Sequence, residues 1–235
     1  MSWVRIPASP IMKPSENYLS LLEEIEKLKA SYQLNYDIEV VVVTKYSSLE
    51  EVEELLTDAK VKHIGENRVQ EAEKKFSYLS AKDILNGVKK HMLGPVQSNK
   101  ITKVLKLFDF VHSVENIDIP KGLLSRGYQG ELLVEVKTSN EATKHGISPE
   151  MAIDFFGELV SNGIKVSGLM TIAPLTNDEH KISKCFETLR KLKEEVEKQY
   201  KIELKYLSMG MSNDYKIAIK EGANIIRIGS LIFRK

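Results

Sequence analysis

Eight short apolar runs alternate with stretches of helical periodicity, and this alternation restricts the chain's fold more than any other feature. The first run is Val40 to Val43, in "VVVVTKYSS". The others are "KHIGE", "KHMLG", "DFVHSVE", "ELLVEVKT", "VSGLMTI", "KYLSMG" and "NIIRIG". Runs this short, with no polar face, ask for burial on both sides, as in a parallel sheet covered by helices. Between them lie helical patterns such as "SLEEVEELLTDA", where Ser48 and Glu51 have the spacing of a capping box. Ser148-Pro149 and Thr176 with Glu179 predict two further helix starts. Gly163 and Gly222 stand just past helix ends, where a left-handed residue is wanted. Before the first run, residues 15–34 form an amphipathic pattern with Leu19, Leu22, Ile25 and Leu28 on one side. The least regular piece follows the fourth run, where Pro120 and Gly122 interrupt the pattern.

Strands alternating with helices predict an α/β fold with a parallel sheet, and eight such units suit a closed (β/α)8 TIM barrel preceded by an N-terminal helix. An open doubly wound sheet is the alternative, but no Gly-rich loop follows the first strand. No linker composition divides the chain, so residues 15–235 are expected to form one domain. Residues 1–14, rich in proline and without acids, read as a flexible leader. They lack the apolar core of a secretory signal; an organellar address stays open.

The chain carries 34 basic and 33 acidic residues, which argues against a nucleic-acid surface. No apolar run reaches the roughly 20 residues of a membrane span. The single cysteine, Cys185, rules out an intramolecular disulfide and fits a reducing compartment. It is expected to be a packed thiol. The expectation is a cytoplasmic monomer.

In a barrel of this kind all strands end at one face, which holds the active site. Polar residues collect there. The strand ends read Thr44-Lys45, Glu66-Asn67, Gly94-Pro95-Val96-Gln97, His112-Ser113, Ser208-Met209-Gly210 and Arg227-Ile228-Gly229-Ser230. Lys45 could simply send its ammonium into water. Following a fully apolar strand, its stem should begin inside the barrel mouth, and an amine held partly out of water is a better nucleophile for carbonyls. The last two loops, "LSMGMSND" and "RIGSLIF", occupy the positions where barrels bind phosphate; Gly210 and Gly229 would allow close approach, and Ser208 and Ser230 would add hydroxyls. The plainer reading is that Ser212 caps the next helix and the glycines turn the chain. Arg227 lies among isoleucines, and a buried guanidinium needs an acceptor. An internal carboxylate or a ligand atom could supply it. Amine, phosphate cradle and arginine together suit pyridoxal 5′-phosphate (PLP).

The segments "TKYSS", "HIGENRVQE", "HMLGPVQSNK", "FVHSVE", "GLMTIAP", "LSMGMSND" and "RIGSLIF", in order over roughly residues 15 to 235, resemble the PLP homeostasis protein family, single-domain relatives of the alanine racemase N-terminal barrel. The resemblance implies a fold-type III PLP barrel in which Lys45 carries the cofactor as an internal aldimine. It implies that Arg227 faces the pyridine nitrogen and that Ser208, Gly229 and Ser230, with the Met209 backbone, hold the phosphate. Asn67 would lie beside the cofactor, though it also suits a helix N-cap with Gln70 reaching back. His112 and Met170 would line the pocket. His91 reads as structural, and Lys100 in "QSNK" as a solvated helix start. Arg234 and Lys235 stand where relatives usually carry glycine, which implies a short last helix.

Three functions follow from different premises. The first is a PLP carrier or regulator, serving storage, delivery or scavenging without obligatory turnover, with apo-PLP enzymes or free amino acids as partners. The second is an amino-acid racemase of low activity. In racemases of this fold the resemblance places a second base, a tyrosine, in a C-terminal β-domain, and this chain ends just after the eighth strand. The third, a phosphosugar enzyme, would want a metal-spaced cluster, which the sequence lacks, and it leaves Arg227 unexplained.

Overall fold

Val41 points into a barrel and its neighbours point out of it. In the computed structural model, which describes residues 12–139 and 145–233, Val41 packs with Phe110, Leu133, Met170, Tyr206 and Ile225 in an inner cluster. Val40 and Val42 instead join the larger outer core between sheet and helices. The valine run is thus buried on both faces, as its composition asks.

The strands are β1 (Glu39–Val43), β2 (His63–Glu66), β3 (Lys89–Met92), β4 (Phe110–Val114), β5 (Glu131–Glu135), β6 (Gly168–Met170), β7 (Tyr206–Met211) and β8 (Ile225–Ile228). They pair in parallel in sequence order, and β8 returns to β1 to close the barrel. The helices are α1 (Pro14–Tyr32), α2 (Leu49–Asp58), α3 (Val69–Ser80), α4 (Ile101–Leu107), α5 (Asp118–Leu124), α6 (Pro149–Ser161), α7 (Glu179–Tyr200) and α8 (Tyr215–Lys220). α1 precedes the barrel and packs on α2 and α8. Pro120 sits in the first turn of α5, where its missing N–H breaks no helical bond.

Several local expectations are met. Ser48 and Glu51 form the capping box of α2, Pro149 is the first residue of α6, and Gly163 and Gly222 have positive φ. Others need correction. α7 is capped by Asp178, which accepts from Lys181 N, while Thr176 Oγ1 accepts from Asp178 N. A carboxylate adjacent to the helix displaces the more distant hydroxyl. Ser148 is the N-cap of α6 as expected, although its side chain makes no cap bond. In α1 the buried stripe is Tyr18, Leu21 and Ile25, and Leu19 is 48% exposed. Leu19 lies one residue, about 100° of helix rotation, from Tyr18. Ser212 does not cap α8 but accepts from Leu231 N at 3.4 Å. Asn67 lies just before the N-cap of α3, which is Arg68.

Gly210 is required where it stands. Its φ is +95°, and a Cβ there would lie 2.5 Å from Ala218 Cβ, so no other residue lets α8 close on the end of β7. Cys185 is buried and donates to Thr138 O at 3.2 Å, the packed thiol expected. The predicted leader falls mostly outside the described residues, and Arg234 and Lys235 fall wholly outside them. Among the described residues no helix is long and apolar enough to cross a membrane.

Candidate functional site

At the C-terminal ends of β1, β6, β7 and β8 lies a cavity of about 970 Å³. Lys45 enters from β1, Arg227 from β8, Gly229 and Ser230 from the loop after β8, and Ser212 and Asn213 from the loop after β7. Ala173 to Asn177 close it from the loop after β6. Lys45 is half-buried, its Nζ 5.0 Å from the centre of the Tyr46 ring.

Buried polar contacts set the backbone at Lys45. The Glu66 carboxylate is fully buried, and its Oε1 accepts from Lys75 Nζ at 2.7 Å and from Thr44 Oγ1 at 2.6 Å. Lys75 Nζ also donates to the Thr44 carbonyl. The residue before Lys45 is therefore gripped through both its hydroxyl and its carbonyl. The far wall is braced in the same way. Met211 N donates to Asp214 Oδ1 at 2.5 Å, and Leu231 N joins the two last loops through Ser212. Asn17 of α1 donates to Ile232 O at 3.0 Å, so the N-terminal helix supports the loop after β8.

Arg227 is almost fully buried beneath the cavity. Its Nη1 donates to Ser208 Oγ and its Nη2 to Thr171 O, both at 2.8 Å. These bonds use two of the five N–H donors of a guanidinium, and the side chain also lines the cavity. Burial pulls its pKa down to about 10, against the attraction of Asp214 and Glu135. It remains a cation at neutral pH. An acceptor in the cavity would answer its remaining donors.

Glu135, at the end of β5, is raised by burial and then by Glu115 to about 7, while Arg227 and His145 oppose the rise. Between an ordinary value of 4.5 and the folded value, the native state binds more protons than the unfolded one. Stability from this group therefore falls as pH rises through that window, by about 3 kcal/mol at most. Glu135→Gln should be more stable than wild type at about pH 8 and indistinguishable near pH 4, as read by urea denaturation at each pH. A stability difference that does not change with pH would contradict this.

The family model for the alanine racemase N-terminal domain matches residues 19–234. The pyridoxal phosphate homeostasis protein of Aquifex aeolicus is 36% identical over 178 residues, 74% of this chain and 76% of its own length. That of Helicobacter pylori is 31% identical over 223 residues, 92% of this chain and 96% of its own. This chain belongs to the pyridoxal phosphate homeostasis protein family. Among solved structures, PipY of Synechococcus elongatus PCC7942, determined with PLP bound, has a TM-score of 0.79 at 30% identity; the match covers 94% of this chain and all of PipY. An alanine racemase of Clostridium difficile, 18% identical with a TM-score of 0.71 over 93% of this chain and 56% of its own, shares the fold.

Seen as a family member, the chain brings some of the expected residues together and not others. Lys45, Arg227, Gly229 and Ser230 share the cavity. Ser208, His112 and Met170 lie one layer deeper. Ser208 and His112 are fully buried and bonded to each other, and Met170 belongs to the inner apolar cluster. Met209 is buried with its side chain in the outer core. Asn67 is half-buried at the end of β2 and is not among the cavity residues. Reading the sequence missed the Glu66–Lys75 pair, whose signal was a strand-end carboxylate nine residues before a lysine on a helix's buried side. It also missed Tyr46, Asp214 and the loop after β6 as cavity residues. "GLMTIAP", part of the resemblance, had marked that loop.

Proposed function

We propose that this protein binds pyridoxal 5′-phosphate in the cavity between Lys45 and Arg227 and serves PLP homeostasis inside the cell, holding the cofactor rather than turning over a substrate. The observation that carries the reading is the pairing of a half-buried strand-end amine with a buried, donor-only guanidinium across one cavity. Membership of the family and the PLP-bound PipY structure support it.

The residues fit the group. Lys45 would hold the aldehyde carbon, Arg227 would donate to the ring nitrogen, and Gly229 and Ser230, with Ser212 of the neighbouring loop, would receive the phosphate. When bound, the cofactor supplies an aldehyde that condenses with an amine and releases one water. Arg227 can only donate, so a ring nitrogen facing it stays an acceptor and the ring draws electrons weakly. That favours reversible holding over carbanion chemistry. Ser208 would act at the ring nitrogen, through Arg227, from whose Nη1 it accepts, and not on the phosphate. Apo-PLP enzymes or free amino acids would take the cofactor by displacing Lys45 with their own amine.

Mixing the protein with PLP and dialysing tests the reading. A retained, visible imine absorption with one PLP per chain is expected, and an apo-PLP enzyme should then be activated faster than by free PLP. A dialysate that carries away all the PLP would remove the proposal.

A further inference from the structure

Arg227 sets the direction of a hydrogen-bond chain that runs down the barrel interior to the opposite face. Its Nη1 is 2.8 Å from Ser208 Oγ, which is 2.9 Å from His112 Nδ1. His112 Nε2 is 2.9 Å from His91 Nδ1, and His91 Nε2 is 3.0 Å from His63 Nδ1. A guanidinium only donates, so Ser208 Oγ accepts from it. The Ser208 hydroxyl makes no other side-chain hydrogen bond among the described residues, so its own proton is satisfied by His112 Nδ1. A neutral His112 then carries its proton on Nε2 and donates to His91 Nδ1. His91 repeats the pattern and donates from Nε2 to His63 Nδ1. Each ring copies the one before it.

The chain ends at the N-terminal face of the barrel, in a cavity of about 490 Å³ lined by Glu39, His63, Lys89, Asp109, Tyr128 and Glu131 among others. There Glu39 Oε2 lies 3.8 Å from His63 Nδ1 and has no hydrogen-bond partner among the described residues. A carboxylate oxygen without a proton donor stands beside the last ring.

We propose that Glu39, His63, His91 and His112 act through Ser208 as a proton-sensitive positioning relay for Arg227, so that one end of the barrel answers to protonation at the other. With one proton gained from water, His63 carries both N–H groups and its charge sits beside Glu39. It no longer accepts from His91. His91 and His112 remain neutral but hold their protons on Nδ1. Ser208 Oγ accepts from both His112 and Arg227 and keeps its own proton, which loses the acceptor that His112 Nδ1 had provided. The one proton gained is thus the one on His63. The grip on Arg227 changes, although no charge has entered the barrel centre.

The surrounding groups make His63 the ring that titrates. Its pKa is lowered by burial and by Lys62 beside it and Lys89 of β3, and Asp109 opposes them. His91, stacked on Phe110 at 4.2 Å, is held much lower by burial, then by His112, His63 and Lys89. His112 is held down by burial and by Arg227. Glu39 itself is raised by burial, with Lys205 opposing and Glu131 and Asp37 adding. Tyr128 and Tyr206 are the remaining titratable groups among the described residues there, the pKa of each raised by burial.

Two-bond ¹H–¹⁵N spectra of the cofactor-free protein test the relay. At neutral pH His91 and His112 should be Nε2–H tautomers, and both should convert to Nδ1–H with the midpoint of His63. In Glu39→Gln that shared midpoint should move down, because the anion favouring His63⁺ is gone. In His63→Leu the two tautomers should no longer change with pH. Nδ1–H tautomers at neutral pH, or tautomers that stay fixed while His63 titrates, would overturn the proposal. The consequence for the cofactor rests on the PLP reading. In loaded protein the imine band should shift with the His63 midpoint, and in His63→Leu it should not. Failure to form any band would count against the PLP reading alone, whereas a normal band indifferent to His63 would sever the relay from the site.

Discussion

Lys45→Ala is expected to abolish the visible imine absorption of PLP-loaded protein completely while leaving the fold intact. The amine is the only part of Lys45 that the proposed bond uses, and among the described residues lining the cavity no other lysine stands there to supply one. Its loss should cost the fold little. The side chain is half-buried and its described interaction is the contact with the Tyr46 ring. Such an exposed cation–π contact is worth about 0.5–1 kcal/mol. The variant should still bind PLP weakly and reversibly through Arg227 and the last two loops, a loss visible in equilibrium dialysis. Retention of an undiminished imine band after dialysis would mean that another lysine holds the cofactor. A variant that fails to fold would mean that Lys45 has a structural part that its contacts do not reveal.

Lys75→Met should destabilise the protein by about 3–5 kcal/mol, the usual cost of leaving one partner of a buried ion pair alone. Glu66 is fully buried, and its Oε2 already lacks a partner among the described residues. Removing Lys75 takes the counter-charge from Oε1 and frees the Thr44 carbonyl as well. Pairing the change with Glu66→Gln removes the stranded charge and should recover most of the loss. Because Thr44 precedes Lys45, the single variant should also hold PLP less tightly. Chemical denaturation of the single and double variants checks the first part. A single-variant loss below about 1 kcal/mol would show that the pair is not the buried unit described here.

The β-α alternation was legible because each strand is a short apolar run bounded by cap or turn residues, and chain order in a parallel barrel then fixes which ends meet. That is why Lys45, Arg227, Gly229 and Ser230 were recognisable as neighbours although nearly 200 residues separate the first from the last. Depth was not legible. Alternation says whether a side chain faces inward, but its height in the barrel depends on strand tilt and stagger. Ser208 and His112 therefore read as pocket residues and stand below it. The register shift between Ser208 and Met211 along β7 also hides heights, since three residues of β7 there span two of β8 and Met211, not Gly210, stands level with Arg227. The relay was hidden for a related reason. His63, His91 and His112 fall on three successive strands, and nothing local tells that their nitrogens come within 3.0 Å of one another. Helix ends failed where two capping residues competed, as at Thr176 and Asp178.

The central claim is a covalent one, and trapping reports on it directly. Borohydride reduction of PLP-loaded protein, followed by proteolysis and mass spectrometry, should place the pyridoxyl group on the peptide containing Lys45. A label on other lysines with Lys45 unmodified, or no label on a protein that retains PLP, would contradict the account.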